Sequence, residues 1–494
     1  MIRRRPPTVK QRALYPRGGA GMLDGLGRRA GRPDRLGSDA LLRSLLNRPE
    51  FLLAGTFAVL ILGGTLLLRL PAAQAAEPVG WIDALFTATS AVCVTGLITV
   101  DTEHAFTHFG KVVILVLIQL GGLGIMTFGA LVVQLLHLRL SFSGHLAWQS
   151  SFFEGPARLD LRRALLGIFA LTFVFEALGA VLIYWGLQGH PQRAPGWFEA
   201  VFLAVSAYCN AGFSVYSDNV AGLRDSPLIL TTFMALIVIG GLGYLVLLEA
   251  LHRAWCRLRG RRPRMVVWTL HSKVVLAMSA LLVFGGAAAL LLTGLTPTEN
   301  TWGLRVVHAL FQSVTARTAG FNTVDIGALP LPSLLILIGL MFIGGSPGSC
   351  AGGIKTTTAA VWSARVRSRL TGREGVRLFE RHIPPGLVRR AALLLAIAGL
   401  WNMGGVLVLS MVEQSKAFRL EQLVFEQISA FATVGLSAHP GAAVSLSASF
   451  SDWGKLSIVF TMFMGRVGPL TLAVAVLPRA RTLYRYPTER VMIG

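Results

Sequence analysis

The chain has 494 residues, of which 53% are hydrophobic and only 14% are charged, and this balance excludes an ordinary water-soluble domain. The apolar residues are collected in runs of about 20, the length at which a helix spans a bilayer core of roughly 30 Å. The formal net charge is +22. Nucleic-acid binding is a poor explanation for it, because no basic stretch alternates with stacking aromatic residues. The composition therefore predicts an all-α polytopic membrane protein.

The basic residues are unevenly distributed along the chain. Residues 1–50 contain 12 Lys or Arg against 4 Asp or Glu, and residues 253–273, 364–390 and the segment after Pro478 are also strongly basic. In contrast, the loop at 71–83 carries two acids and neither Lys nor Arg. This alternation follows the positive-inside rule. It predicts a multi-pass protein of the cell (inner) membrane with both termini cytoplasmic and its basic loops beside anionic headgroups.

One short pattern occurs four times between the apolar runs. Its copies are FTATSAVCVTGL (86–97), FLAVSAYCNAGF (202–213), FQSVTARTAGF (311–321) and FEQISAFATVGL (425–436). Each begins with Phe, carries Ser-Ala or Thr-Ala near its middle, and ends in Gly followed by Leu or Phe. A small-residue face for helix packing would explain one such copy, but not four in equivalent places.

The pattern predicts four tandem helix–pore-loop–helix repeats, with eight transmembrane helices around a pseudo-fourfold central pore. The predicted divisions are a basic cytoplasmic N-terminal segment (1–50), repeat 1 (51–140), repeat 2 (160–252), repeat 3 (271–363), repeat 4 (387–478) and a cytoplasmic C-terminal tail (479–494). Each copy of about a dozen residues is too short to cross the bilayer, so we expect it to enter and return. Its irregular backbone must then lie within protein or beside water.

The glycines of the four copies indicate a cation filter. Glycine readily adopts positive φ and can turn carbonyl groups inward, and a ring of carbonyls replaces the hydration shell of a potassium ion. No carboxylate lies in these turns, which favours a monovalent ion over calcium, and glycine at all four positions favours potassium over sodium. The predicted filter residues are Val94, Thr95, Gly96, Asn210, Ala211, Gly212, Thr318, Ala319, Gly320, Thr433, Val434 and Gly435.

The stretch GGSPGSCAGGIKTTT (344–358) interrupts an apolar run. Gly348 and Gly353 have the spacing of a phosphate-binding loop, but Ile354 precedes Lys355 and the residues before the stretch do not form a bounded strand. Its glycines and proline predict a broken helix beside a cavity instead. Weaker interruptions, GGLG, GGLGY and GRVGP, occupy the corresponding places at 121–124, 240–244 and 465–469.

Two cations accompany this stretch. Arg466 lies inside an apolar run, where a charge is costly and usually faces a cavity or a partner. We expect it to act as an electrostatic barrier below the filter, and a structural pair with a carbonyl or carboxylate is the alternative. Lys355 is predicted to lie near the inner end of this stretch, as part of it. The alternative is that Lys355 anchors a helix end to headgroups.

The motifs TSAVCVTGL, CNAGFS, TARTAGFNT, ATVGLS, GGSPGSCAGGIKT and GRVGP resemble the Trk/Ktr/HKT superfamily of potassium transporters. Residues 51–494 carry the resemblance, and the eight-helix form is most similar to the membrane subunit of Ktr-type systems. The resemblance implies potassium uptake without a cofactor. It also implies that the third-repeat stretch is an intramembrane gate. The predicted gate residues are Gly344, Gly345, Ser346, Pro347, Gly348, Ser349, Gly352, Gly353 and Lys355 in that stretch, and Arg466 in the fourth repeat.

The resemblance also implies partners. These are a second copy, giving a homodimer, and a cytosolic ring of nucleotide-binding regulatory subunits docked on the basic loops at 253–273 and 364–390. Ktr-type systems are often sodium-dependent, so Na⁺ is an open alternative as activator or coupled ion. We expect the C-terminal tail to dock at the dimer interface, whereas the basic N-terminal segment has no counterpart in the family core.

Two other classes of protein remain as alternatives. An intramembrane hydrolase would use Ser346 or Ser349 as nucleophile and His308 as base, but the sequence has no serine-hydrolase motif and the repeat would be unexplained. A secondary transporter with inverted repeats is the other alternative. All four units here run in the same sense, which favours parallel repeats around a pore. We therefore expect a transport protein and not an enzyme.

Overall fold

The computed structural model describes residues 49–468 apart from 76, 124–160, 191–192, 194, 261–267, 295–300 and 440–443. The predicted N-terminal segment, except for its last two residues, and the C-terminal tail lie outside the described residues. So do residues 124–140 of repeat 1 and 469–478 of repeat 4.

The described residues form fifteen α-helices and one small antiparallel hairpin. The helices are α1 (Pro49–Leu68), α2 (Trp81–Cys93), α3 (Thr102–Ala105), α4 (His108–Gly122), α5 (Leu161–Gln188), α6 (Trp197–Cys209), α7 (Pro227–Leu242), α8 (Tyr244–Leu258), α9 (Leu270–Leu292), α10 (Trp302–Thr315), α11 (Leu331–Phe342), α12 (Thr356–Leu370), α13 (Pro385–Val412), α14 (Leu420–Ala432) and α15 (Asp452–Val467). The strands are β1 (Val376–Leu378) and β2 (Arg381–Ile383).

The same three-helix unit occurs four times. An outer helix (α1, α5, α9 or α13) is followed by a short helix of 13 or 14 residues (α2, α6, α10 or α14). An inner helix (α4, α7, α11 or α15) completes each unit. The helix starts follow ordinary capping chemistry: Ser451 accepts a hydrogen bond from Gly454 N at the start of α15, and Thr269 accepts one from Ser272 N at the start of α9.

The four units pack as a closed circle. Each inner helix contacts the short helix of the next unit: α4 lies on α6, α7 on α10, α11 on α14, and α15 returns to α2. The phenylalanine that opens each copy of the sequence pattern anchors this packing, because all four of these side chains are completely buried. They are Phe86, Phe202, Phe311 and Phe425.

Each inner helix ends at the glycine interruption found in the sequence. At the GGLGY interruption the chain is bent by 108° between α7 and α8. At the bend Gly243 has a φ of 87°, which L side chains rarely adopt, and a Cβ there would lie 2.6 Å from the carbonyl oxygen of Pro347. The run at 331–362 divides into α11 and α12, with residues 343–355 between them in irregular backbone.

These breaks shorten the apolar helices. Among the described residues, three helices are long and apolar enough to cross a bilayer, namely Leu166–Gln188, Leu270–Leu292 and Pro385–Val412. A fourth is added if the bent pair α7–α8 is taken as one span. Shorter apolar helices, including α4 and α11, make up the rest of the bundle.

Candidate functional site

Each short helix ends in a turn with unusual backbone angles. Val94, Asn210 and Thr433 immediately follow α2, α6 and α14 with φ of 56°, 59° and 51°. In the third unit the corresponding residue is Thr318, with φ 77°. A glycine with positive φ lies two residues further on in every unit: Gly96, Gly212, Gly320 and Gly435. Left-handed backbone at a β-branched residue is costly, so the surrounding structure must hold these turns in place.

A serine hydroxyl ties the first and the fourth turn to their own helices. Thr95 N donates to Ser90 O at 2.8 Å, and Gly96 N donates to Ser90 Oγ at 3.0 Å. The equivalent Ser429 receives Gly435 N on its Oγ at 3.1 Å. The Ser-Ala of the sequence pattern is therefore part of the site, although the sequence indicated no role for it. Its signal is a hydroxyl six residues before the glycine in the first, second and fourth units and five residues before it in the third.

The four turns meet one another in a ring. A Cβ on Gly96 would lie 2.5 Å from Ala211 O, and one on Gly212 would lie 2.9 Å from Ala319 O. In the same way Gly320 lies against Val434 O, and Gly435 lies against Thr95 O. Each carbonyl that precedes a glycine thus contacts the glycine of the preceding unit, and the fourth turn closes on the first. The structure brings all twelve predicted filter residues together.

The 343–355 segment crosses to the inner-helix ends of the three other units. Ser346 N donates to Gly241 O at 3.1 Å, and Gly348 O accepts from Tyr244 N at 3.2 Å, both in the second unit. The thiol of Cys350 donates to Gly122 O in the first unit at 2.8 Å. In the fourth unit, the guanidinium of Arg466 donates to Cys350 O.

The same segment lies directly beside the ring. A Cβ on Gly344 would lie 3.2 Å from the side chain of Thr318, and one on Gly353 would lie 3.2 Å from Ala432 Cβ. A Cβ on Gly352 would contact the Thr433 hydroxyl. These glycines therefore allow the segment to approach the ends of the third and fourth short helices, and the nine predicted gate residues from Gly344 to Lys355 lie together there.

Both predicted cations bind carbonyl groups near this segment. Arg466 contacts Cys350 O and also donates to Gly121 O at 2.5 Å, so the alternative of a carbonyl pair is what its contacts show. Lys355 Nζ donates to Ala351 O at 2.6 Å and so turns back into the segment instead of reaching outward. The carbonyl partners are neutral, so the two side chains place positive charge beside the ring.

One functional residue was missed by the sequence analysis. Glu426, completely buried in α14, accepts hydrogen bonds from Ser447 N at 3.0 Å, Ser447 Oγ at 2.5 Å and Ser437 Oγ at 2.7 Å. It joins the fourth short helix to the chain that follows Gly435. A polar residue directly after the repeated phenylalanine was the available signal, and Gln312 occupies the same place in the third unit.

The contacts argue against the two chemical alternatives. His308 contacts the Thr323 hydroxyl at 3.3 Å, Ser346 contacts that of Thr356 at 3.1 Å, and Ser349 Oγ donates to Ser346 O at 2.7 Å. These partners differ from the serine–histidine pair that a hydrolase requires. The 343–355 segment follows helix α11 and not a strand, unlike a phosphate-binding loop.

Four glycine turns closed into a ring inside an apolar helical bundle define a membrane transport protein for cations. The family model of TrkH, described as a cation transport protein, matches residues 48–482, and the chain belongs to this family. It is an integral membrane transport protein and not an enzyme.

Relatives along the whole chain confirm the resemblance drawn from the motifs. The chain is 34% identical to the potassium/sodium uptake protein NtpJ of Enterococcus hirae, over 92% of this chain and 98% of that protein. It is 34% identical to the Ktr system potassium uptake protein B of Vibrio alginolyticus, over 89% of this chain and 93% of that protein. It is 33% identical to the protein of the same name from Bacillus subtilis, over 90% and 96%.

A solved structure shows the same fold. The potassium transporter TrkH from Vibrio parahaemolyticus matches with a TM-score of 0.65 over 86% of this chain and 85% of that chain, at 18% sequence identity.

Proposed function

We propose that this protein takes up potassium ions across the cell membrane through the ring of four glycine turns. The observation that carries the proposal is the closed contact of each pre-glycine carbonyl with the neighbouring glycine. Backbone carbonyls can replace the hydration shell of potassium, and four short helices end beside the ring with the negative ends of their dipoles. Three relatives named as potassium uptake proteins support potassium as the ion.

The proposal includes the membrane topology. Four helix–pore-loop–helix repeats supply eight spans, and both termini lie in the cytoplasm with the basic loops. The broken inner helices are compatible with this count, because irregular backbone is tolerated at membrane depth where it is enclosed by protein or borders a cavity.

The 343–355 segment is the gate in this proposal. It contacts the inner-helix ends of the other three units and lies directly beside the ring, so it obstructs the route of an ion that has passed the glycines. Displacement of this small-residue segment opens the route, an order-to-disorder change of a kind common in switching proteins. Arg466 and Lys355 add a positive barrier while the segment is in place.

The remaining elements of the proposal concern partners and sodium. Two relatives are named as components of a Ktr system, which supports an association of this chain with other components of such a system. In this proposal the chain forms a homodimer, and the other components are a cytosolic ring of nucleotide-binding subunits. Arginines on α12 and the β-hairpin offer that ring a basic surface. One relative is named a potassium/sodium uptake protein, which supports Na⁺ as activator or coupled ion.

The test is rescue of a bacterium that lacks its own potassium uptake, scored by growth at low potassium and by rubidium uptake. The intact chain is compared with Gly435→Ala, whose methyl group would collide with Thr95 O, and with Gly285→Ala, whose methyl group meets nothing within 4 Å. We expect rescue by the intact chain and the Gly285 variant, and loss of rescue by the Gly435 variant at equal expression.

Each strain is grown with and without sodium and a Ktr-type regulatory subunit. Rescue that requires sodium identifies sodium as activator or coupled ion, and co-transport of labelled sodium distinguishes the two. If the intact chain is present in the membrane with a regulatory subunit and carries no rubidium, the proposed function is wrong. Equal rescue by both glycine variants would remove the ring from the ion path.

A further inference from the structure

Helix α8 is held where the next outer helix begins. Glu249 accepts hydrogen bonds from Thr269 N at 2.8 Å and from Ser272 Oγ at 2.5 Å, at the start of α9. Nearby, the Arg253 guanidinium lies 4.8 Å from the ring centre of Trp268. Since α9 is one of the helices able to span the bilayer, its first turn marks the membrane surface. Because α8 is bent by 108° from α7, we expect it to run along that surface.

The outer side of α8 combines an apolar stripe with arginines. Leu251, Trp255 and Leu258 follow the i, i+4, i+7 spacing of one helical face and are 45%, 54% and 84% exposed. Arg257 and Arg259 are exposed beside them, and Arg259 stacks on Trp255 at 4.2 Å. Helices of this composition lie in the interface, with the apolar face in the acyl boundary, tryptophan at headgroup level and basic groups on phosphates.

The first turn of α8 contacts the 343–355 segment. Tyr244 N donates to Gly348 O at 3.2 Å, and the bend at Gly243 lies against Pro347 O. The position of α8 is therefore linked by a direct backbone hydrogen bond to the segment beside the ring.

We propose that α8 binds anionic phospholipid headgroups through Arg257 and Arg259, and that this binding holds the 343–355 segment in its observed position. The second part rests on the proposed function of that segment as a gate. Charge complementarity favours lipid over a second copy of the chain. An isologous contact uses the same patch of both copies and would bring four arginines into one interface, whereas lipid phosphates neutralise them.

The binding test uses the full-length purified chain and native mass spectrometry with added phosphatidylglycerol or phosphatidylcholine. We expect preferential binding of phosphatidylglycerol. The double variant Arg257→Gln, Arg259→Gln should lose about 30-fold in affinity, as expected for two basic groups near an anionic surface. The matched control, Arg367→Gln with Arg369→Gln, removes two exposed arginines from α12 and should keep the preference.

Three binding results would overturn the site. They are equal binding of both lipids by the intact chain, an equal loss in the α12 control, and a Leu251→Ser variant that splits a dimer without changing the lipid preference. The third would assign the apolar stripe to a second copy. This measurement needs no transport, so a failure of the proposed potassium uptake leaves it unaffected.

The coupling is tested by rubidium uptake into vesicles. In vesicles containing phosphatidylglycerol, the Arg257/Arg259 double variant should take up rubidium several-fold faster than the intact chain, because its segment is released more often. In pure phosphatidylcholine the two rates should agree. Equal rates in both vesicle types, with lipid binding lost, would show that the bound lipid does not act on the segment.

Discussion

The guanidinium of Arg466, near the end of the last inner helix, donates a hydrogen bond to the carbonyl oxygen of Cys350, 116 residues earlier in the chain. A second bond from the same group to Gly121 O, 2.5 Å long, connects the fourth unit to the first. One side chain thus fastens the 343–355 segment to two inner-helix ends. Replacing Arg466 should change both the hydrogen bonding that fixes the 343–355 segment and the charge beside the ring.

We expect Arg466→Gln to carry rubidium at least several-fold faster than the intact chain. Each hydrogen bond from a charged donor is worth about 1.5–3 kcal/mol, and both favour the segment in its present place. Removal of the positive charge acts in the same direction on a passing cation. Initial rates of rubidium uptake at matched expression measure the effect, with Arg305→Gln, at the start of α10 and at the opposite end of that helix from the ring, as a control. A rate at or below that of the intact chain would contradict the barrier role.

Ser429, near the end of the fourth short helix, should influence ion selectivity. Ser429→Ala removes the acceptor of Gly435 N and leaves a half-buried amide unpaired, at a cost of about 1–3 kcal/mol to the turn. We expect the ratio of potassium to sodium uptake to fall several-fold, because the turn loses its support from the helix. Ser410→Ala is the control, since that exposed hydroxyl bonds only to the Leu407 carbonyl of its own helix. Unchanged selectivity in Ser429→Ala would show that the backbone alone holds the turn.

Glu426 offers a graded test of the support behind the fourth turn. Glu426→Ala deletes all three hydrogen bonds and opens a cavity, so we expect a loss of about 3 kcal/mol or more in stability and little uptake. Glu426→Gln keeps the shape and one acceptor oxygen, and the Ser437 hydroxyl can accept from its amide, so most uptake should remain. Thermal unfolding in detergent and rubidium uptake give the two readouts. An alanine variant as active and stable as the glutamine variant would show that Glu426 does not support the fourth turn.

The contact between His104 and Asp101, in the loop after the first glycine turn, should stabilise the protein less as the pH rises. A hydrogen bond to Asp101, 2.7 Å from His104 Nδ1, and the negative charge of that carboxylate raise the pKa of His104 above its ordinary value of 6.5. The stabilisation is fully present below pH 6.5 and is lost as the pH passes the raised pKa. Thermal unfolding midpoints followed from pH 5 to 9 should show a small fall that is absent in His104→Asn. The same fall in both proteins would assign it to another group.

The repeat and its turns were open to prediction from sequence because their causes are local. Gly96 and its three equivalents have positive φ, which is a property of a short stretch of backbone. The phenylalanine that opens each copy is buried, as expected for an apolar residue on the packed face of a helix. The break at 343–355 was equally visible, since proline and clustered glycines disrupt any helix. The interruption at 240–244 was also visible, but the 108° bend at Gly243 was not, because it depends on the approach of Pro347 from another unit.

The sequence by itself determined that this is a membrane protein with four glycine turns and one badly broken inner helix. Composition, spacing and backbone preference act within a few residues and need no knowledge of neighbours. The tertiary structure alone decided that the turns close into a ring, that Arg466 pairs with Cys350, and that α8 turns back against the start of α9. Those contacts join residues about 20 to 345 positions apart, and their formation depends on how all the helices pack together.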